Sequence, residues 1–425
     1  MATPFLYYPL GNSRHLDPLF EAIGDAQFVL LGEASHGTHE YYTWRTAITK
    51  RLIEEKNFRF IGAEGDWPDC YKIHRFIKGY ENSGTTIRDV LMGFRRWPTW
   101  MWANWEIAAL AEWLQGYNQL KPEKNKIGFY GLDVYSLWES LNTIVDYLEQ
   151  HDGVAIEAAR KAFRCFERYY EKPQEYARAT VLVSDNCRDE VVNMLRRLRE
   201  KSELFENDAE AEFNMEQNAL VAVNAEKYYR AMIRGGANSW NVRDQHMVET
   251  LDRLTKRHDN AKSVVWEHNT HVGDARYTDM KRDGMFNVGQ LVRENYGRNN
   301  TFIVGFGSYS GSVIAGRSWN APMQIMNVPE ARKNSWETKL HKISPEDKLI
   351  LSSDLEEDPE TQKWIDHRAI GVVYHPEFEA YGNYVPSLIP ERYDAFIFID
   401  RTTALHPLHL RPDLKETPGL YPWNF

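Results

Sequence analysis

The sequence has few cysteines and no long apolar run. Its 425 residues include three cysteines, Cys70, Cys165 and Cys187, which form no CxxC pair, so we expect no disulfide framework. No stretch approaches the roughly 18 apolar residues of a membrane-spanning helix. The first 19 residues also lack the basic and apolar segments of a signal peptide. These absences together predict a cytoplasmic protein that does not enter a membrane.

An excess of basic charge is also missing. The chain has 51 basic and 61 acidic side chains, which gives a formal net charge of −10. A general nucleic-acid binder needs a basic face to replace phosphate counterions, so this class is excluded and a small-molecule partner is expected. Aromatic residues, in contrast, are abundant at 13%, with 14 tryptophans, and this composition excludes global disorder.

Short apolar runs alternate with amphipathic segments in the first third of the chain and return near its end. This alternation predicts an α/β fold, with a mostly parallel sheet flanked by helices in three layers. The predicted helices include Glu40–Lys56 and Asn287–Tyr296. The predicted strands are Gln27–Leu31, Phe58–Ala63, Lys126–Gly131, Ser263–Trp266, Thr301–Gly305, Lys348–Leu351, Ala369–Tyr374 and Ala395–Ile399.

The middle of the chain has a different pattern. Between residues 136 and 258 there is almost no strand-like run, and Glu, Lys, Arg, Ala and Leu recur with helical periodicity. We therefore predict one α/β core in two parts, residues 1–135 and 259–425, with residues 136–258 inserted as a large all-helical cap.

Carboxylates and histidines follow several predicted strands. Glu33 and His36 come after the first, Glu64 after the second, and His268 and His271 after the fourth. Ligands bind at the carboxyl ends of strands in open parallel sheets, so we expect these side chains to meet at one site. A histidine beside a glutamate can activate water as a general base.

A metal site and a covalent nucleophile are the two alternatives to activated water. The His268-x-x-His271 pair follows a strand rather than lying on a helix, so it indicates a divalent metal only weakly. No GxSxG elbow is present, and the glycine-rich segment Gly305–Gly311 is predicted to be a turn between strands. The residues therefore favour hydrolysis by water without a covalent acyl-enzyme and without a required cofactor, and a divalent metal is left open.

Two arginines and a tryptophan cluster complete the candidate set. Arg45 and Arg243 are each able to stabilise an oxyanion or orient a carboxylate, or to form a surface ion pair. Four tryptophans within nine residues are consistent either with a core or with the wall of a large-ligand cleft, and we expect them to contact substrate: Trp97, Trp100, Trp102 and Trp105.

Motif-bearing stretches run in order along the chain. They are LGEASHGTHEYYTWR (Leu31–Arg45), FIGAEGDWPDCYKIHRFI (Phe60–Ile77), WANWEIAALAEWLQGYN (Trp102–Asn118), GFYGLDVYSLWESL (Gly128–Leu141), NVRDQHM (Asn241–Met247), WEHNTHVGDAR (Trp266–Arg276) and YDAFIFIDRTTALHPL (Tyr393–Leu408). Together they resemble the erythromycin esterase family, which includes homologues labelled succinoglycan biosynthesis protein.

The resemblance implies an α/β sheet with a helical portion, a deep cleft and ester hydrolysis, with opening of a macrolide lactone in the antibiotic-resistance members. It implies that His36 is the base and Glu33 its acidic neighbour. It also matches Glu64, Arg45 and four further residues to family positions: Arg243, Asp244, His268 and His271.

The sequence thus predicts a hydrolase that cleaves a carboxylic ester or macrolactone with water activated by His36. Glu33 or Glu64 orients the base, His268 and His271 bind the carbonyl or carry the proton, and either arginine holds charge. The alternatives are a metal-dependent hydrolase with the same residues, a glycan-acting enzyme and a non-catalytic binding protein. The sequence does not indicate the oligomeric state or the natural substrate.

Overall fold

The computed structural model describes residues 5–151, 155–167, 169, 175–176, 179, 187–199, 209–233, 237–355 and 358–410. The strands are β1 (Tyr8–Pro9), β2 (Phe28–Leu31), β3 (Phe60–Asp66), β4 (Gly128–Asp133), β5 (Ser263–Trp266), β6 (Thr301–Ala315), β7 (Gln324–Val328), β8 (Lys348–Leu351), β9 (Ile365–Arg368), β10 (Tyr384–Ser387) and β11 (Ala395–Thr402).

The helices vary from one turn to more than six. They are α1 (Asp17–Ile23), α2 (His39–Lys56), α3 (Trp67–Lys78), α4 (Ile87–Met92), α5 (Trp105–Gln119), α6 (Leu137–His151), α7 (Ala155–Glu167), α8 (Arg188–Arg199), α9 (Ala209–Met232), α10 (Ala237–Arg257), α11 (Asn269–Val272), α12 (Val288–Tyr296), α13 (Trp336–Ile343), α14 (Ser352–Leu355), α15 (Glu379–Gly382) and α16 (Ile389–Arg392). Among these described helices none is long and apolar enough to cross a bilayer.

The main sheet is mostly parallel at its centre. Its strand order is β1-β8-β11-β6-β2-β5-β3-β4, with β7 paired to β6. The run from β11 to β4 is parallel, whereas β1 and β8 pair antiparallel at one side of the sheet and β7 pairs antiparallel with the end of β6. The predicted α/β class with a mostly parallel sheet is therefore confirmed.

Helices cover both faces of this sheet because alternate residues of each strand point to opposite sides. In β2, Val29 and Leu31 belong to the core beneath α2, α3 and α5. Phe28 and Leu30 belong to the core on the opposite face, with residues of α10 and α12. Because both faces are buried, the central strands are continuous apolar runs, which is why the sequence revealed them.

Two local predictions are wrong. Ala369–Tyr374 forms only isolated bridges, at Ile370 and Val373, although its composition is strand-like. The segment Gly305–Gly311 is not a turn but the middle of β6, where it pairs in parallel with β11. Glycine lets the bulky rings of Tyr393 and Phe396 approach the strand closely, so its frequency here reflects packing rather than chain reversal.

The helical insertion has its own apolar core, formed by residues of α6, α7, α8 and α9. Helix α10 is different, because Met247, Val248 and Leu251 pack in the core of the sheet instead. A helical region is thus inserted into the α/β core. The boundaries 1–135, 136–258 and 259–425 stay a prediction.

The expectation that the cysteines form no disulfide is wrong. Cys165 of α7 is bonded to Cys187, which directly precedes α8, and Cys70 is a buried free thiol. The pairing was hidden because the partners are 22 residues apart and are brought together only by helix packing. The bond fastens two helices of the insertion to each other.

This disulfide gives a first testable prediction. In denaturant without reductant, thiol titration is expected to find one reactive cysteine, Cys70, and to find three after reduction. A Cys165→Ser/Cys187→Ser variant is expected to lose about 2–4 kcal/mol of unfolding free energy, because the cross-link restricts the unfolded chain. Cys70→Ser is the matched control for the titration, which should then find no thiol before reduction. Three thiols in the unreduced wild type would contradict the assignment.

Candidate active site

The polar strand ends meet at one edge of the sheet. Strands β2, β5, β3 and β4 are neighbours and all parallel, so their carboxyl ends lie side by side. The polar and charged residues in the last positions of these strands or just beyond them are buried: Glu33, His36, Glu64, Asp133, Glu267, His268 and His271. The structure therefore brings together the strand-end residues that the sequence singled out.

His36 is held by Glu33, and Glu33 is held by Arg45. The His36 Nδ1 atom lies 2.8 Å from Glu33 Oε1, and the Arg45 Nη2 atom donates to Glu33 Oε2 over 2.5 Å. Arg45 is 1% exposed and its guanidinium lies over the rings of Tyr42 and Trp266, so it does not reach a substrate. This chain of contacts leaves Nε2 of His36 as the ring nitrogen available for chemistry.

The loop that carries His36 passes very close to β6. A Cβ atom on Gly37 would overlap the carbonyl of Ile314, so only glycine fits between the two segments. The Gly37 carbonyl accepts from the Ile314 amide over 3.0 Å, and the hydroxyls of Ser35 and Thr38 are hydrogen-bonded to each other. These contacts fix the loop and with it the direction of His36.

The electrostatic environment raises the pKa of His36 above its ordinary value of 6.5. Burial by itself lowers this pKa, but the carboxylates of Glu64 and Glu33 outweigh burial. His268 is affected in the opposite sense: burial and the neighbouring His36 lower its pKa well below 6.5. The centroids of the two rings are 4.8 Å apart. Because their pKa values are shifted in opposite directions, the pair consists of one readily protonated and one neutral imidazole.

Arg243 is the centre of a second buried network. Its Nη2 atom donates to Glu64 Oε1 over 2.6 Å and to Asp133 Oδ2 over 2.7 Å. Burial raises the pKa of Glu64, but the histidines beside it and the Arg243 guanidinium outweigh burial and hold it well below the usual range. The pKa of Asp133 is also lowered, because Arg243 outweighs burial there too. Both carboxylates are therefore ionised at neutral pH.

His271 belongs to the same network. Arg243 Nη1 donates to its Nε2 over 2.9 Å, and its Nδ1 lies 2.9 Å from Asp244 Oδ1. The indole of Trp240 is stacked on the ring. Both ring nitrogens are thus occupied, so in this arrangement His271 has no free nitrogen for a substrate carbonyl.

His268 lies behind His36. Its backbone amide donates to Glu64 Oε2 over 2.8 Å, and its Nδ1 lies 2.8 Å from the Thr270 hydroxyl. Its Nε2 is buried and has no hydrogen-bond partner among the described residues. A neutral ring with a lowered pKa is a poor acceptor for the proton of His36, so this nitrogen is better suited to holding a water.

A cavity opens at this edge of the sheet. Of the predicted site residues, His36, Glu64, Arg243 and Trp102 line it, whereas Glu33, Arg45, His268 and His271 lie behind its wall. The described residues that line the cavity are His36, Glu64, Gly65, Asp66, Asp69, Cys70, Phe94, Arg96, Pro98, Thr99, Met101, Trp102, Asp133, Tyr135, Arg243, Trp319 and Val372.

The tryptophan prediction needs correction, because Trp102 is the member of the cluster that lines the cavity. Trp100 is 0% exposed in the core, and Trp105 packs against that core. The indole of Trp97 donates to the Ala321 carbonyl and contacts the ring of Trp319 instead. Pro98 splits the cluster, so its four indoles point in different directions.

Several cavity residues were not predicted. Buried Asp66 forms an ion pair with the partly buried Arg96, and one oxygen of Asp66 has no hydrogen-bond partner among the described residues. Burial raises the pKa of Asp66 to about 7 in spite of Arg96. Asp66 comes two residues after Glu64, so the expectation that ligands bind at the carboxyl ends of parallel strands could have indicated it as a site residue. Trp319, which is 55% exposed, lies in a distant loop for which the sequence carries no signal.

Neither of the nucleophiles near the cavity is activated. Burial, followed by the charge of Asp66, raises the pKa of the Cys70 thiol well above its ordinary value, so it is not a thiolate. The Ser35 hydroxyl is bonded to Thr38 rather than to a histidine. The arrangement therefore favours a histidine base acting on water, with a buried cation nearby for developing negative charge.

The chain is similar to known proteins over most of its length. A family model described as Erythromycin esterase matches residues 53–402. Erythromycin esterase type II of Escherichia coli is 26% identical over 340 residues, which cover 73% of this chain and 76% of that protein.

Solved structures share the fold. A succinoglycan biosynthesis protein superposes with a TM-score of 0.73 at 21% identity, covering 94% of this chain and 95% of that one. A mutant of the erythromycin esterase EreC in its open conformation has a TM-score of 0.70 at 14% identity, covering 95% and 98%.

Proposed function

Because the chain belongs to the erythromycin esterase family, we propose that it hydrolyses a carboxylic ester or lactone with water activated by His36. Membership of this family supports a hydrolase of the esterase type. The observation that carries the proposal is the hydrogen bond of 2.8 Å between His36 on the cavity wall and the buried Glu33. Glu33 orients the imidazole and stabilises its cation after proton transfer.

The reaction follows from this arrangement. Neutral His36 takes a proton from water through Nε2 while the water oxygen bonds to the ester carbonyl carbon. Negative charge develops on the carbonyl oxygen, and the Arg243 guanidinium on the cavity wall stabilises it. His36 then gives the proton to the leaving alkoxide as the carbon–oxygen bond breaks, so one water is consumed and an acid and an alcohol are formed.

The absence of an activated nucleophile supports attack by water. Cys70 is a neutral thiol and the Ser35 hydroxyl is hydrogen-bonded to Thr38 rather than to a histidine, so neither is an activated nucleophile for a covalent acyl-enzyme. Arg45, His268 and His271 act as positioning residues, because they lie behind the residues that reach the cavity.

The substrate is tested by incubating the protein with a panel of macrolides and simple esters, followed by mass spectrometry. Addition of one water to a member of the panel is the expected result. No turnover with any of them would favour a binding protein, and release of a sugar from a glycoside panel would favour a glycan-acting enzyme. We propose a small-molecule ester or lactone as the partner, with no nucleic acid.

The proposed reaction uses no cofactor. Initial rates measured at room temperature are therefore expected to be unchanged after chelation and dialysis. A loss of activity that a divalent ion restores would instead support the alternative of a metal-dependent hydrolase that uses the same histidine and glutamate cluster. A cytoplasmic location stays a prediction, and the Cys165–Cys187 disulfide is more typical of an oxidising compartment.

The pH dependence gives a second testable prediction. A general base acts when neutral, and the pKa of His36 is raised, so the rate is expected to rise with pH through a midpoint above 6.5. Glu64→Gln removes the carboxylate that raises this pKa most, and should move the midpoint to lower pH. Glu55→Gln, an exposed change on α2, is the control and should leave the midpoint in place. An unshifted midpoint in Glu64→Gln would show that another group titrates.

A further inference from the structure

Three metal-ligating side chains meet outside the cavity. His39 is the first residue of α2, Glu106 lies in the first turn of α5, and His406 follows β11. The Nδ1 atoms of both histidines lie 2.6 Å from the same oxygen, Oε1 of Glu106. None of the three lines the cavity, so the proposed reaction does not use them.

The backbone around this group is held in place independently of the side chains. The segment after β11 forms bridges from Ala404 to Thr38 and from Pro407 to Asn104. The amide of His39 donates to the Thr403 carbonyl, and that of Trp105 to the His406 carbonyl, each over 3.0 Å. The three side chains therefore converge on a scaffold that is already formed.

The contacts within the group leave Glu106 incompletely satisfied. Its Oε1 atom receives both imidazoles, whereas its Oε2 atom is buried without a hydrogen-bond partner among the described residues. The Glu106 side chain is 1% exposed. Two imidazole nitrogens that converge on one buried carboxylate, whose second oxygen is still without a partner, supply the donor set of a cation site.

We propose that His39, Glu106 and His406 bind a divalent transition-metal ion, zinc in the first instance, as a structural site. One ligand atom from each residue lies within 4.8 Å of the others, and in the part of the chain that the structure describes no other such group of three was found. Two imidazoles and a carboxylate match the ligands of zinc, whereas calcium and magnesium prefer oxygen.

The position of the site indicates its role. The His406 side chain is 38% exposed, which gives the ion access from solvent and room for water as a fourth ligand. The ion would join the segment after β11 to the first turns of α2 and α5, and the His36 loop directly precedes α2. A metal that binds only the folded chain stabilises it by mass action, so occupancy should raise the melting temperature.

The test uses the full chain, stripped with a chelator and dialysed. Zinc titration by calorimetry, with metal analysis of the dialysed complex, is expected to give one zinc per chain and a Tm higher by several degrees. Cobalt in place of zinc should give the visible absorption bands of a tetrahedral ion. His406→Ala should lose both the one-to-one zinc binding and the rise in Tm. Glu106→Gln should lose them too, although its side chain keeps the size of glutamate.

His36→Ala is the matched control, because it removes a histidine of the cavity three residues before His39. One-to-one binding should persist in His36→Ala. The proposal is overturned if this variant loses the zinc while His406→Ala keeps it, since the ion would then lie in the cavity. It is also overturned if the wild type binds no zinc, or if binding is unchanged in both His406→Ala and Glu106→Gln.

Discussion

Replacing His36 with Asn is expected to lower kcat for ester hydrolysis by about 10²–10⁴-fold, the usual contribution of a general base. Asparagine keeps a polar N–H donor near the position of Nδ1 but cannot take a proton from water. The side chain of His36 is 10% exposed and lines the cavity, so the fold should tolerate the change. Steady-state kinetics on the best substrate of the ester panel measures the effect, and circular dichroism checks the fold.

His375→Asn is the matched control, since the His375 side chain is 45% exposed and lies 3.7 Å from the surface residue Glu377. It should keep the wild-type rate. A His36→Asn protein that also kept the full rate would show that His36 is not the base. His268 would then be the next candidate, because its neutral ring lies beside His36 and has a free Nε2.

Arg243→Met is expected to lower the free energy of unfolding by about 3–5 kcal/mol, the range for removing one partner of a buried ion pair. The change leaves Glu64 and Asp133 buried, ionised and without their cation. Hydrolysis should also fall, because the cavity loses the cation that faces the developing oxyanion. Urea denaturation at neutral pH measures the stability and the ester assay measures the rate.

A double variant tests whether the uncompensated carboxylate charge causes this loss of stability. Arg243→Met/Asp133→Asn should recover part of the lost stability, because one uncompensated carboxylate is then neutral. Arg317→Met is the surface control: its partner Glu377 is about half exposed, and the change should cost no more than about 1 kcal/mol. A similar loss in Arg243→Met and Arg317→Met would mean that the buried network contributes little to stability.

Burial explains which strands could be predicted. β2 and β5 are buried on both faces, so FVLL and SVVW are unbroken apolar runs between polar segments. Ala369–Tyr374 has the same composition but lies where no neighbouring strand is available for a full ladder. Composition reports that a segment prefers an extended, buried conformation, and the partner decides whether a strand forms.

The partners of each site residue depended on the fold. The sequence offered Glu33 and Glu64 equally as companions of His36. In the structure Glu33 is hydrogen-bonded to the imidazole of His36, whereas Glu64 accepts a hydrogen bond from Arg243. For the same reason the sequence could not show which of the four tryptophans lines the cavity. The direction of an indole depends on the turn at Pro98 and on what packs against it.

By itself, the sequence determined the α/β class, the helical middle and the set of polar residues at the strand ends, because these follow from local periodicity and from the rule that parallel strands end together. Only the tertiary structure decided which of those residues line the cavity and which lie behind it. It also brought Cys165 to Cys187 and His39 to His406. Such pairings join residues far apart in the chain, so no local pattern records them.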